Sequence, residues 1–192
     1  MEFAIRKVTL KDFQEEIYHI RQKVFIEEQE CPEHAEWVEE EEVNAVYFLC
    51  LLESKAVACI RIRKMGKSLL KLERVAVLKE FRRRGIASQL IRKAIEDFQK
   101  TAPNCSFYAY AQVTAIQTYI ALGFVIVSGE WFDEGSRLMH QTIFWSTPHS
   151  RDVFLKNESE NQMEVEKNGN NKQYENYEIH HPEVVEKIRQ LP

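Results

Sequence analysis

Apolar residues recur along this chain in two rhythms, and the switch between them lays out the elements. In the stretch LERVAVLKEFRRRGIASQLIRKAIEDFQK, residues 72–100, an apolar run with Val75 and Val77 gives way to Ile86, Leu90, Ile91, Ala94, Ile95 and Phe98. The first part suits a strand; the second has the three-to-four spacing of a helix with one buried face. Between them lie Arg82-Arg83-Arg84 and Gly85-Ile86-Ala87. The stretch predicts strand, tight basic turn, helix.

The same reading extends both ways. Phe3–Thr9 predicts a first strand, and Asp12 stands where it can cap a helix that turns Phe13, Ile17, Ile20, Val24 and Phe25 inward. Pro32 closes that region. Glu36-Trp37-Val38, followed by Glu39–Glu42, reads as a solvated acidic loop. Val46–Leu52, Ala56–Arg63 and Leu69–Leu78 predict an antiparallel meander, turned at Glu53-Ser54-Lys55 and Gly66-Lys67-Ser68. After the central helix, which ends before Pro103, come a strand at Ser106–Ala111 and a short helix at Thr114–Leu122 closed by Gly123. Strands at Phe124–Ser128 and Leu138–Trp145 complete the pattern.

Beyond Pro148 the composition changes. Asn157–Tyr177 is rich in Asn, Glu, Lys and Gln and reads as mobile, while His181–Leu191 has Val184, Val185, Ile188 and Leu191 on one helical side. The chain divides on this reading into a folded domain at 1–147 and a polar, partly mobile tail at 148–192 with a terminal helix.

Composition narrows the class. A chain of 192 residues with 44% hydrophobic and 29% charged residues suits one soluble globular domain plus a tail. No apolar run approaches the ~20 residues that span a bilayer, and the start MEFAIRKVTLKDF has no apolar signal core. A cytoplasmic protein with no membrane partner is expected. With 30 acidic against 26 basic residues the net charge is -4, which argues against nucleic acid as a partner. Cys31, Cys50, Cys59 and Cys105 show no metal-like pairing, so no metal is expected and a reducing compartment fits.

The basic turn carries the first chemistry. The opening N–H groups of a helix lack internal partners, and the macrodipole favours an anion there. Gly85 permits a sharp turn and close approach, Ala87 keeps the next turn narrow, and arginines offer forked donors to phosphate oxygens. Neither common nucleotide loop is present: there is no Gly-x-x-x-x-Gly-Lys-Ser/Thr and no Gly-x-Gly-x-x-Gly. A solvated basic turn before an ordinary amphipathic helix is the plain alternative.

Arg82-x-x-Gly85-x-Ala87 after an apolar strand resembles the pyrophosphate loop of the GNAT superfamily of N-acetyltransferases. Tyr119-x-x-x-Gly123-Phe124, the spacing of Gln112, Ala115 and Tyr119, and the order of elements extend the resemblance over residues 3–146. Within the superfamily the chain is similar to the ElaA/YjcF-like branch, through Val24-Phe25-Ile26-Glu27-Glu28-Gln29-Glu30-Cys31-Pro32, Ala111-Gln112, and Phe132-Asp133-Glu134-Gly135 followed by His140.

The resemblance implies an α/β (α+β) acyl-CoA N-acyltransferase fold: a mixed, mainly antiparallel sheet flanked by helices, with a V-shaped opening for acetyl-CoA. It implies direct acetyl transfer to an amine through a tetrahedral intermediate. Backbone groups at Val75, Ala76 and Val77 would bind pantetheine and acetyl, with the N–H of Val75 or Ala76 polarising the carbonyl. Arg82, Arg83, Arg84, Gly85, Ile86 and Ala87 would hold the diphosphate. Gln112, where the family often has Asn, would touch the cofactor, and Tyr119 would protonate the leaving thiolate.

Glu73 is the first candidate for the base, through water; paired with Arg61 or Arg63 it would be an ordinary strand carboxylate. Asp133, Glu134 and His140 are candidates for substrate binding or proton removal, with Ser136-Arg137-Leu138-Met139 setting His140 later than in the branch. Glu27 and Glu28 fall where the family lines its acceptor pocket, or are solvated residues at a helix end. An acidic rim suits polyamines or lysine, whereas Arg61, Arg63, Arg137 and His140 suit a sugar phosphate. By analogy with other members of the superfamily, the acceptor named here is glucosamine 6-phosphate, a small metabolite of amino-sugar metabolism. The rival readings are a protein lysine or N-terminal acetyltransferase, a polyamine acetyltransferase, and a non-catalytic acetyl-CoA sensor. Homodimers are common in the family, and the terminal helix offers a surface for one.

Overall fold

Among the described residues eight strands form one sheet: β1 (Phe3–Val8), β2 (Val46–Leu52), β3 (Lys55–Lys64), β4 (Leu69–Val77), β5 (Ser106–Gln112), β6 (Val125–Ile126), β7 (Phe132–Asp133) and β8 (Met139–Trp145). They belong to a computed structural model that describes residues 3–42, 44–128, 132–133, 138–168 and 178–192. Their spatial order is β1-β2-β3-β4-β5-β8-β6, with β7 also on β8. Every pairing is antiparallel except β4 with β5, which is parallel. The helices are α1 (Leu10–Arg21), α2 (Glu33–Glu36), α3 (Glu39–Glu42), α4 (Ile86–Thr101), α5 (Ile116–Ile120), α6 (Pro148–Asn168) and α7 (Pro182–Arg189). This is the mixed, mainly antiparallel sheet with flanking helices that the sequence implies.

Strand alternation sends successive side chains to opposite faces. On one face Phe48, Ile60, Leu70, Leu72 and Phe107 pack beneath Leu90, Ile91 and Ala94 of α4. The other face has two apolar clusters. Ile17 and Ile20 of α1 cover Tyr47, Leu49, Cys59 and Ala76. Phe154 of α6, with Ile179, Val184 and Ile188, covers Leu69, Tyr108 and Phe144. Arg61, Arg63, Lys71 and Glu73 occupy this second face, at positions that alternate with Ile60, Ile62, Leu70 and Leu72 on the first.

Three segments differ from the sequence reading. Helix α1 is capped by Thr9, whose extended backbone lets its Oγ1 accept the Asp12 N–H at 3.4 Å while its hydroxyl donates to the Asp12 carboxylate at 2.6 Å. Past Arg21 the helix continues as a π-helical segment over Gln22–Glu28.

The acidic stretch is not a solvated loop. Glu36 is 1% exposed and its carboxylate meets Arg21 Nε at 2.5 Å and Arg74 Nε at 2.8 Å. Glu42 takes Arg21 at 2.8 Å and Arg61 at 2.6 Å, and also accepts the Tyr47 hydroxyl. The physical reason is the two guanidiniums at 0% exposure, which need anions brought to them.

The tail, finally, is built onto the sheet. Helix α6 runs through Asn168, into the stretch the sequence reads as mobile from Asn157; residues 169–177 lie outside the described ones. Ser150 is fully buried and takes the Ser106 hydroxyl, and Asn157 donates to Ser68 Oγ at 2.6 Å. Val184, Val185 and Ile188 of α7 are buried within the chain. The apolar side of the terminal helix therefore faces its own sheet.

Candidate active site

The parallel contact of β4 with β5 pairs Leu69 with Ser106, Leu70 with Phe107 and Lys71 with Tyr108, and stops there. Beyond it a cleft of about 580 Å³ opens, lined by Leu72, Glu73, Val75 and Val77 from β4 and by Tyr110, Ala111 and Gln112 from β5. That is a usual size for a small-molecule site. The V-shaped opening follows from where the ladder ends.

A bulge shapes one wall. Cys59 pairs with Ala76 and Arg61 with Glu73, so Arg74 and Val75 stand opposite Ile60 alone. Arg74 takes the left-handed φ of +52°. A bulge of this kind leaves a residue out of the ladder and bends its strand, which takes the backbone at Arg74 and Val75, just before Ala76, out of the β3 ladder. Both Val75 and Val77 line the cleft.

The basic turn closes the cleft's other end. Arg83 has φ +63° and Gly85 has φ +74°, and Gly85 caps α4. A Cβ at Gly85 would meet only Gln89 Nε2 at 3.8 Å, so the backbone conformation, and not crowding, asks for glycine. Ile86, Ala87 and Ser88 of the first helical turn line the cleft, and that turn carries no acidic residue. The arginines differ among themselves. Arg82 donates from Nε to the Val77 carbonyl at 2.9 Å and gives both terminal nitrogens to Glu28, at 2.6 and 2.7 Å. Arg84 donates to the Glu80 carbonyl at 3.1 Å, and Arg83 is exposed.

Tyr119 sits on α5, buried edge-on against Phe124 at 5.3 Å between ring centroids, and lines the cleft. Burial raises its hydroxyl pKa, so it holds its proton at neutral pH. Gln112 donates its side-chain amide to Gln29 Oε1 at 3.1 Å, which joins the end of β5 to the end of the π-helical segment. Gln29 stands in the Val24–Pro32 segment that carries the resemblance, with no role given to it from sequence; its partner lies 83 positions away. His140 stands beside Gln112 in the β5–β8 ladder, is 4% exposed and lines the cleft.

Glu73 lies in the same cleft in the ion-paired form. Arg63 holds its carboxylate closely, with Arg61 at 3.3 Å and Lys71 at 3.4 Å. Burial pushes its pKa up, but Lys71, Arg61 and Arg63 outweigh that and bring it down to about 2. Lys71, another residue sequence reasoning passed over, also lies 4.5 Å from the Tyr110 ring centroid. Its sign in the sequence was a charge alternating with leucines inside an apolar strand.

Glu27 and Glu28 do not line this cleft. Glu27 pairs with Lys23 at 2.7 Å, Glu28 pairs with Arg82, and both border a separate depression with Lys55 and Lys79. Asp133 lies on β7, opposite Met139. Glu134 and Arg137 fall outside the described residues.

The Acetyltransferase (GNAT) family model matches residues 14–124, more than half of the chain and the whole of this cleft's β4, loop and α5 walls. The chain belongs to the GNAT acetyltransferase family. It is an acetyl-CoA-dependent N-acyltransferase, moving acetyl to an amine. Among curated proteins it is 31% identical to YyaT of Bacillus subtilis (strain 168) over 133 residues, 68% of this chain and 88% of that one. Escherichia coli ElaA shares the fold with a TM-score of 0.67 and 21% identity, covering 76% of this chain and 100% of that one. So does the Thermoplasma acidophilum PaiA N-acetyltransferase, solved in complex with coenzyme A, with a TM-score of 0.57 and 16% identity over 77% of this chain and 100% of that one. Among the described residues no helix is long and apolar enough to cross a membrane.

Proposed function

We propose that this GNAT enzyme acetylates the primary amine of a small anionic metabolite, with glucosamine 6-phosphate as the first acceptor to test. The observation that carries the reading is Lys71, a buried cation that lines the cleft beside Glu73, with Arg61 and Arg63 next to it on the second face of the sheet, paired with Glu41, Glu42 and Glu73. The acidic stretch that would have suited a polyamine is turned inward onto Arg21, Arg61 and Arg74. Glu27 and Glu28, the other candidates for holding a cationic amine, border a different depression. The four cysteines are free, which agrees with a reducing cytoplasm.

Acetyl-CoA fits the cleft by its chemistry. The diphosphate suits the first turn of α4 behind Gly85, where N–H groups and the helix dipole favour an anion and the helical turn itself carries no carboxylate. Pantetheine suits the strand edge that β4 exposes where it parts from β5. The N–H of Val75 or Ala76 then polarises the acetyl carbonyl as negative charge develops on it. The amine nitrogen forms its bond to the carbonyl carbon, the carbon–sulfur bond breaks, and Tyr119 gives its proton to the departing thiolate.

The amine must also lose a proton. A carboxyl held at about 2, as Glu73 is, accepts a proton poorly at neutral pH. Glu73 instead serves as the fixed counterion of Arg61, Arg63 and Lys71, and the proton goes to His140, the imidazole that lines the same cleft. The test is thiol release from acetyl-CoA with glucosamine 6-phosphate, glucosamine, polyamines and lysine peptides. Turnover with the phosphorylated amine and not with glucosamine supports the anionic acceptor. Preference for spermidine or for lysine peptides overturns it, and binding of acetyl-CoA without turnover on any amine favours a sensor.

A further inference from the structure

The bulge in β4 is tied down from outside the sheet. Arg74, which carries the left-handed φ, places its Nε 2.8 Å from the Glu36 carboxylate and donates a terminal nitrogen to the Ala35 carbonyl at 3.0 Å. Its own carbonyl accepts from Cys59 Sγ at 3.8 Å. Glu36 is held in turn: Arg21 Nε meets its carboxylate at 2.5 Å, and a terminal nitrogen of Arg21 donates to its backbone carbonyl at 2.8 Å. Arg21 and Glu36 are 0% and 1% exposed. Helix α2 is thus clamped between α1 and the bulge.

We infer that Arg74 and Glu36 are a positioning pair, which holds the β4 bulge in the conformation that aims the Val75–Ala76 backbone at the acetyl carbonyl. The inference rests on the reading that this backbone polarises the carbonyl. A non-glycine residue seldom adopts a positive φ without surrounding structure that enforces it. Here the enforcement comes from a side chain reaching 39 positions back in the chain, to the carbonyl end of helix α2. Whatever shifts α2 therefore also shifts the donor that polarises the thioester. Substituting Arg74 acts through the backbone that follows it, with no contact to the reacting atoms required.

The experiment uses the full chain and acetyl-CoA labelled with carbon-13 at the carbonyl, so it needs no acceptor. Titration gives the affinity, and the carbonyl resonance of the bound thioester reports its polarisation. Wild-type enzyme moves this resonance downfield on binding. Arg74→Ala loses at least half of that displacement, with acetyl-CoA affinity changed less than about threefold, because diphosphate and pantetheine contacts remain. Arg74→Gly recovers part of the displacement, since glycine enters the left-handed region without a clamp. Arg74→Lys, which keeps charge and burial but lacks the fork that reaches both Ala35 and Glu36, behaves like Arg74→Ala and covers the case in which the alanine variant does not fold. A full displacement in Arg74→Ala or Arg74→Lys, or a glycine variant no better than alanine, overturns the pair while leaving the polarisation reading intact. No displacement in the wild type removes that reading, and the inference with it.

Discussion

Arg82 gives both terminal nitrogens to the Glu28 carboxylate while its Nε holds the carbonyl of Val77, the last residue of β4. The first arginine of the triplet is therefore a brace between the π-helical segment and the phosphate turn. The Arg82 hydrogen bonds hold the Glu28 carboxyl below its ordinary range, so it stays an anion at neutral pH. Glu28→Gln keeps the Nε bond and removes a negative charge from the neighbourhood of the diphosphate. Acetyl-CoA should bind several-fold tighter to this variant at low salt. The gain should shrink as salt rises, because interactions between exposed charges are screened beyond about 8–10 Å at ordinary ionic strength. Calorimetric titration at two salt concentrations reads it, and weaker binding in the variant would show that Glu28 supports the cofactor.

Gly85 separates conformational strain from charge. Alanine fits the space but must sit at φ +74°, which costs on the order of 1–2 kcal/mol for a residue with a Cβ. Aspartate adds a carboxylate at the anion-binding turn. Acetyl-CoA affinity should fall about tenfold for Gly85→Ala and much further for Gly85→Asp. Equal affinities in all three proteins would remove the turn from the cofactor site.

Tyr119→Phe keeps the edge-on contact with Phe124 and deletes one hydroxyl. If that hydroxyl protonates the thiolate, kcat drops by about 10²–10⁴, the usual worth of a positioned general acid. Acetyl-CoA affinity should stay within about twofold. Stopped thiol release with affinity intact is the expected pair of results; unchanged turnover takes Tyr119 out of the mechanism.

The phosphate turn, helix α4 and Tyr119 were readable because their signals are local: a glycine after an arginine run, a helical stripe, an aromatic four positions before Gly123. The acidic stretch was misread because its partners are remote. Glu36 and Glu42 look solvated until Arg21, Arg61 and Arg74 come to them from α1, β3 and β4. The available hint was in the strands, where Arg61, Arg63, Lys71 and Glu73 alternate with Ile60, Ile62, Leu70 and Leu72. Four charges on one face of two central strands need counterions from somewhere. Gln29 and Gln112 both stand in segments that carry the resemblance, but their pairing left no sign, since neither residue's chemistry names its partner.

The tail hid its role behind polar composition. Phe154 is 1% exposed and Ile188 0%, both against Tyr108 or Phe144 on the second face. Truncation to alanine leaves a cavity there and should cost about 2–5 kcal/mol at either site. Thermal melts of Phe154→Ala and Ile188→Ala should fall together, with acetyl-CoA affinity unchanged. A melt no lower than wild type would undock the tail from the core.

Glu73 makes the stability of the site depend on acid. Its carboxyl titrates at about 2 in the folded chain against an ordinary 4.5, so the unfolded chain binds the proton first as pH falls. The stabilisation from this anion is present in full above about 4.5 and fades as pH drops toward 2. Glu73→Gln removes it at every pH and leaves Arg61, Arg63 and Lys71 facing an amide. The variant should be less stable than wild type by about 3–5 kcal/mol near neutral pH, the usual cost of taking one partner from a buried ion cluster. Below about pH 4.5 the gap should narrow as wild type loses the same charge. Denaturant melts of the two proteins across this range measure it directly. A gap that stays constant down to pH 2.5 would mean that Glu73 is not held as an anion, and would return it to contention as the group that takes the amine's proton.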